Sequence, residues 1–228
     1  SSKQPVHVYD RTSDSTIIET YSTKPHLDVM ESLNLSTNFV QKLQTKEQIG
    51  NQDGNTVSVI YAEQNSLIRI QDTNMMHNDG IAVNIDKYSF AEIVICNFSH
   101  NYISICMTSK SKVKLLMCNF ISHTYNAITQ ADESLSIDSC NFINNTGSDC
   151  GSVLHVGTAG GTVYIYNSTF INNINRCTGH ECSGAAIYID SNGGSNAALY
   201  VYNSIFFYNS AQTPYCARSC SGSCDIYK

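Results

Sequence analysis

The side chains able to do chemistry in this sequence are cysteines, aspartates, a pair of histidines and a group of tyrosines. Ten cysteines occur in 228 residues. Six of them, Cys150, Cys177, Cys182, Cys216, Cys220 and Cys224, crowd toward the C-terminus, where three disulfides are expected rather than a metal. Cys216-x3-Cys220-x3-Cys224 lacks the CxxC knuckle of a zinc site, and the pairing cannot be read from spacing. Acid–base chemistry on a polysaccharide would need clustered aspartates, or acidic calcium ligands beside a basic residue. Asp86, Asp132, Asp138 and Asp190 are instead scattered, with no Asp-Asp pair and no recurring Arg or Lys beside them. No catalytic residue, metal ligand or cofactor site is expected.

Bulk properties exclude other classes. The net charge is -6 with only four arginines, Arg11, Arg69, Arg176 and Arg218, so no basic stripe is available for nucleic acid. No apolar run is long enough to cross a bilayer as a helix, and the chain opens Ser1-Ser2-Lys3, as a processed protein or a fragment would. Cysteine content points to an oxidising, extracellular or cell-surface setting. The sequons at Asn34, Asn97, Asn144 and Asn167 agree with it and make these four asparagines glycosylation candidates.

One phrase recurs six times: TNMMHN, CNFSHN, CNFISH, CNFINN, STFINN and SIFFYN, centred on Met75, Phe98, Phe120, Phe142, Phe170 and Phe206. The spacings are 23, 22, 22, 28 and 36, of which the shorter ones suit one coil and the excess suits loops. Five residues before each centre stand Ile70, Ile93, Leu115, Ile137, Ile165 and Val201. Seven before stand Ile68, Ala91, Val113, Leu135, Val163 and Leu199, so alternate residues of a strand face a core. A second strand follows each centre, with Val83, Ile105, Ile128, Leu154 and Ile187 in one column. Two before the centre, Cys96, Cys118 and Cys140 share a column with Thr73, Ser168 and Ser204, which predicts buried free thiols; Cys106 is read the same way. Three after it, Asn78, Asn101, Asn145, Asn173 and Asn209, with His123 in one coil, predict an Asn ladder at a left-handed turn.

These columns predict an all-β fold, a right-handed parallel β-helix of about six coils with a disulfide-rich C-terminal cap. Residues 1–55 form an irregular coil or cap, 56–210 the repeats, and 211–228 the Cys-rich cap or the start of a further segment. The FxxN phrase at Phe98, Phe142, Phe170 and Phe206, with SGAAIY at 183–188, resembles the FxxN and GGAI repeats of polymorphic outer-membrane-protein-type and other pectin-lyase-like β-helices. That resemblance implies surface display or adhesion, with a polysaccharide lyase or hydrolase as the alternative.

Strand alternation then sorts the outer surface. Tyr164, Tyr166, Tyr200 and Tyr202 fall four and six residues before the last two centres and should form an outward wall, continued by Asp138, Leu116 and Val94. The wall is the candidate docking surface for a protein partner, another copy or a glycan. His77 and His100 share a polar corner column. Among the sequons, Asn144 and Asn34 should be accessible, Asn97 should stack in an Asn column, and Asn167 should point partly inward.

Overall fold

The computed structural model describes residues 7–10, 16–18, 40–44, 48–49, 60–62, 65–108, 110–130, 133–148, 151–156, 161–177, 184–189 and 197–211. Among them the chain is all β. Sheet 1 contains Val40–Gln44, Leu67–Gln71, Phe90–Val94, Ser111–Leu116, Glu133–Asp138, Gly161–Tyr166 and Ala198–Tyr202. Sheet 2 contains Gln48–Ile49, Asn74–Met76, Asn97–Ser99, Asn119–Ile121, Asn141–Ile143, Thr169–Ile171 and Ile205–Phe207. Sheet 3 contains Ile60–Ala62, Ile81–Ile85, Ile103–Met107, Ile128–Gln130, Leu154–Val156 and Ile187–Ile189, and an antiparallel pair, His7–Asp10 with Thr16–Ile18, extends its Ile60 edge. Thr146–Gly147, Ile174–Asn175 and Ser210–Ala211 form a short fourth sheet. The chain visits the three long sheets in turn, later coils adding a strand of the short one, and their strands pair in parallel with their counterparts one round later, consistent with a parallel β-helix. The stacking begins before residue 56, because Leu43 already pairs with Ile70 and Ile49 with Met75.

Register follows the repeat. Ile70, Ile93, Leu115, Ile137, Ile165 and Val201 are successive cross-strand partners, as are Met75 and the five phenylalanines. Phe98, Phe120, Phe142, Phe170 and Phe206 stack with centroids 4.9, 4.8, 4.7 and 4.4 Å apart, within 12° of coplanar. The first four are wholly buried in one core shared by all three sheets. Identical side chains one strand spacing apart meet face to face without changing rotamer, which is why the column keeps one residue type.

Corners, not strands, carry the unusual backbone. Among the described residues, all fifteen non-glycine residues with positive φ stand ten before, three before or two after a centre, at bends between sheets. This corrects the expectation that the Asn three after the centre is the left-handed residue. The left-handed residue is the one before it: His77, His100, Ser122, Asn144, Asn172 or Tyr208.

The Asn faces inward instead and clamps the preceding coil. Asn145 Oδ1 accepts the His123 N–H at 3.1 Å while its Nδ2 donates to Phe120 O at 3.1 Å; Asn173 and Asn209 repeat the pattern one and two coils on. The residue two before the centre does the same job at another bend. Cys118 N donates to Cys140 Sγ, Cys140 N to Ser168 Oγ and Ser168 N to Ser204 Oγ, and each of these side chains donates back to the carbonyl two residues earlier. Cys and Ser interchange in this column because both are small, and both donate and accept.

His123 interrupts the Asn ladder. Its Nε2 lies 2.5 Å from Ser104 Oγ, its ring meets the edge of Phe120, and its buried Nδ1 has no partner. Burial, aided by the nearby charge of His100, pushes its pKa down to about 3, so the ring is neutral in the fold.

Two stability predictions follow from this core. Phe120→Ala should cost about 3–5 kcal/mol in denaturant unfolding, since rigid neighbouring coils cannot collapse into the gap; below about 1 kcal/mol the stack would not be the core. For His123, the unfolded chain takes up a proton below pH 6.5 that the folded chain refuses until about pH 3. Stability complete above pH 6.5 is therefore lost at up to about 1.4 kcal/mol per pH unit as the pH falls through that window. His123→Asn should abolish that component and, by completing the ladder, add about 1 kcal/mol at neutral pH. An unchanged acid profile in His123→Asn would assign the acid sensitivity elsewhere.

Candidate binding surface

The outer face of sheet 1 changes character along the stack. In the early coils the position six before the centre holds Arg69, Glu92 and Lys114, with ion pairs of 3.4 and 3.5 Å. In the last two it holds Tyr164 and Tyr200, with Tyr166 and Tyr202 two residues further along. Tyr164 stacks on Tyr200 and Tyr166 on Tyr202 at 5.2 Å, and Tyr164 lies 6.4 Å from Tyr166 with the rings parallel. The four sequence-selected tyrosines are thus brought together as a two-by-two array. Tyr200 and Tyr202 are 44% and 48% exposed, and the other two are half-buried.

The expected apolar continuation of the wall does not hold along its whole length. Asp138 and Leu116 are half-buried, but Val94 is only 5% exposed and contributes no surface. A group the alternation did not single out is more exposed: Ile205, Phe207 and Tyr208 at 59%, 52% and 75%. Their outward positions were readable in the SIFFYN phrase.

Sequon placement needs one correction. Asn167 is exposed, not inward, as are Ile95 and Met117 in its column, because the left-handed residue three before the centre interrupts strand alternation and points outward. Its amide donates to Asp138 at 3.1 Å. Asn144 is also exposed and accepts from Asn172 at 2.7 Å. Asn97 stands in an outer ladder with Asn74, Asn119 and Asn141, at 2.7, 2.6 and 2.8 Å. Asn34 lies outside the described residues.

The remaining chemical candidates are set apart. Asp86 is partly buried, which works against ionisation, yet donors from Lys87 N–H, Tyr61 and Thr108 at 2.7, 2.9 and 3.0 Å hold its carboxyl below the usual range. Its lone pairs are committed to holding adjacent coils together. Asp132 and Asp190 lie outside the described residues. His77 and His100 stack at 5.0 Å on the surface, and no group of metal-ligating side chains forms among the described residues. No helix among them is long and apolar enough to cross a membrane.

Cys96, Cys118 and Cys140 are free and buried. Hydrogen bonding to neighbouring cysteines and burial push the Cys96 thiol up and Cys118 up to about 12. Cys106 departs from expectation. It is free but half-buried on the outer side of sheet 3, between Asn84 and Thr129. Cys177 is disulfide-bonded and packs on Tyr188, whereas Cys150, Cys182, Cys216, Cys220 and Cys224 lie outside the described residues. Under native conditions an alkylating reagent should label Cys106 well before Cys96, Cys118 and Cys140, which should react only on unfolding. Native labelling of Cys118 as fast as Cys106 would contradict the buried column.

Comparison with known proteins returns no matching family model, no matching curated protein and no matching solved structure.

Proposed function

We propose that this chain is an extracellular structural, adhesive or assembly module that works by presenting the outer surface of a right-handed parallel β-helix. In this reading the three sheets close around the shared core, the late cysteines pin a C-terminal cap by disulfides, and kinship lies with FxxN-type surface repeats. The partner is a protein, another copy or a surface glycan. The observation that carries the reading is the tyrosine array. Four rings held parallel on two adjacent coils offer apolar area with phenolic tips and little rotamer freedom left to lose on docking.

Replacing Tyr164 and Tyr166 together by Ser separates docking from packing. Thermal stability should stay within about 2 kcal/mol, since outward cross-strand pairs contribute little. Attachment of the folded protein to the surface it decorates should weaken at least about thirtyfold, the loss expected of an aromatic hot spot. A fall in stability with attachment per folded molecule unchanged would make the array a packing element and remove the proposal's support.

A further inference from the structure

The three sequons among the described residues fall on one side of the stack. Asn97 stands on the sheet 2 strand Asn97–Ser99, Asn144 is the left-handed residue just after the sheet 2 strand Asn141–Ile143, and Asn167 is the left-handed residue at the bend into Thr169–Ile171. All three are exposed. Among the described residues, no sequon asparagine stands on a strand of sheet 1 or sheet 3.

Sheet 2 is also the sheet without charge. Its seven strands contain no Lys, Arg, Asp or Glu, whereas those of sheet 1 carry Arg69, Glu92, Lys112, Lys114 and Asp138. At the bend leading to Asn97, Ile95 is exposed, and so is Met117 in the same column one coil on. An uncharged sheet face bordered by exposed apolar side chains invites association unless something soluble covers it.

The side-chain contacts leave room for such a cover. Among the described residues, none of the three amides commits both of its N–H groups: Asn97 Nδ2 donates to Asn74 Oδ1 at 2.7 Å, Asn167 Nδ2 donates to Asp138 Oδ1 at 3.1 Å, and Asn144 accepts through Oδ1 from Asn172 at 2.7 Å. In a ladder of translated amides such as that of Asn97, the donating hydrogen lies opposite the amide oxygen. A glycosylated amide is a trans secondary amide, so that is the hydrogen it keeps. A glycan can therefore be attached without breaking the Asn ladder.

We infer that Asn97, Asn144 and Asn167 all carry N-linked glycans, which together cover the outer face of sheet 2 and its two bends and end at Asn167, beside the tyrosine array. The inference rests on the extracellular reading given above, because its donor is a lipid-diphosphate oligosaccharide of the secretory pathway. Transfer forms a bond from asparagine Nδ2 to the anomeric carbon, breaks the bond from that carbon to the diphosphate, and releases the lipid diphosphate and the amide proton. The hydroxyl residues of the sequons are Ser99, Thr146 and Thr169.

The test is mass spectrometry of the full 228-residue chain made through the secretory pathway of a eukaryotic cell, before and after treatment with a peptide N-glycosidase, which converts only a glycosylated asparagine to aspartate. The expected result is a mass above 25.1 kDa that falls on treatment, with conversion at Asn97, Asn144 and Asn167. Ser99→Ala, Thr146→Ala and Thr169→Ala leave every asparagine contact in place, and each should remove the mass of one glycan while the circular dichroism spectrum stays that of the parent. Any of the three asparagines found mostly unconverted, or a hydroxyl variant that keeps its glycan mass, would overturn the inference. Native deglycosylation should leave surface attachment within about twofold, and a larger loss would show that the glycans belong to the contact instead of covering a face apart from it. A chain that carries all three glycans yet attaches to no surface would remove the display reading while upholding this one, so the two fail separately.

Discussion

Everything in this fold depends on how a coil turns a corner. Among the described residues, a left-handed residue at a bend redirects the strand, and at many of these bends the following backbone N–H is received by a polar side chain from the next coil. Asn serves after the central residue, Cys or Ser before it, and Ser at the third bend, where Ser66 N donates to Ser89 Oγ. Left-handed backbone costs a non-glycine residue roughly 1–2 kcal/mol, so these bends persist only because the clamps over-determine them. Ile95 shows how far that extends, since a β-branched residue holds φ 54° at a bend where neighbouring coils use Met117 and Ser139.

The same constraint explains what was legible in the sequence. Inward columns were readable, because strand periodicity is two and each strand repeats in register: the Phe, Ile and Cys columns are cross-strand partners as their spacing implies. Corners were not. Alternation carried unbroken through a bend turns Asn167 inward, whereas the left-handed residue adds an outward position and resets the phase. Composition gave no warning, because the left-handed positions hold Ile95, Met117, Tyr88 and Tyr208 as readily as Asn. Among the site residues, the tyrosine array was readable from alternation within one strand. The exposure of Ile205, Phe207 and Tyr208 was not, since spacing sets which way a residue points and not how much of it its neighbours cover.

Division of labour between inside and outside follows. The interior ladders need particular side chains, Asn to bridge two backbone groups and a small hydroxyl or thiol to fit a tight bend, so variation there is narrow. His123 marks the tolerance, filling an Asn site with a ring at the cost of an unpartnered nitrogen. The outer positions of sheet 1 meet no such demand. Over successive coils the same column passes from Arg69 and Glu92 through Lys114 to Tyr164 and Tyr200 without any change in strand pairing.

Under the proposed function, that freedom is what would suit the scaffold to display. A side chain on a loop must be ordered when it binds, whereas Tyr164 and Tyr166 are already ordered by the rings stacked on them and by strands bonded on both sides. The ordering cost has been met by folding, so each ring contact made with a partner contributes nearly its full value to affinity. It also limits what the surface can recognise. A rigid array with ring spacings of 5.2 and 6.4 Å cannot adapt to a partner's shape, so the partner that the proposal calls for would itself be flat or repetitive, as a sheet surface or a polymeric glycan is.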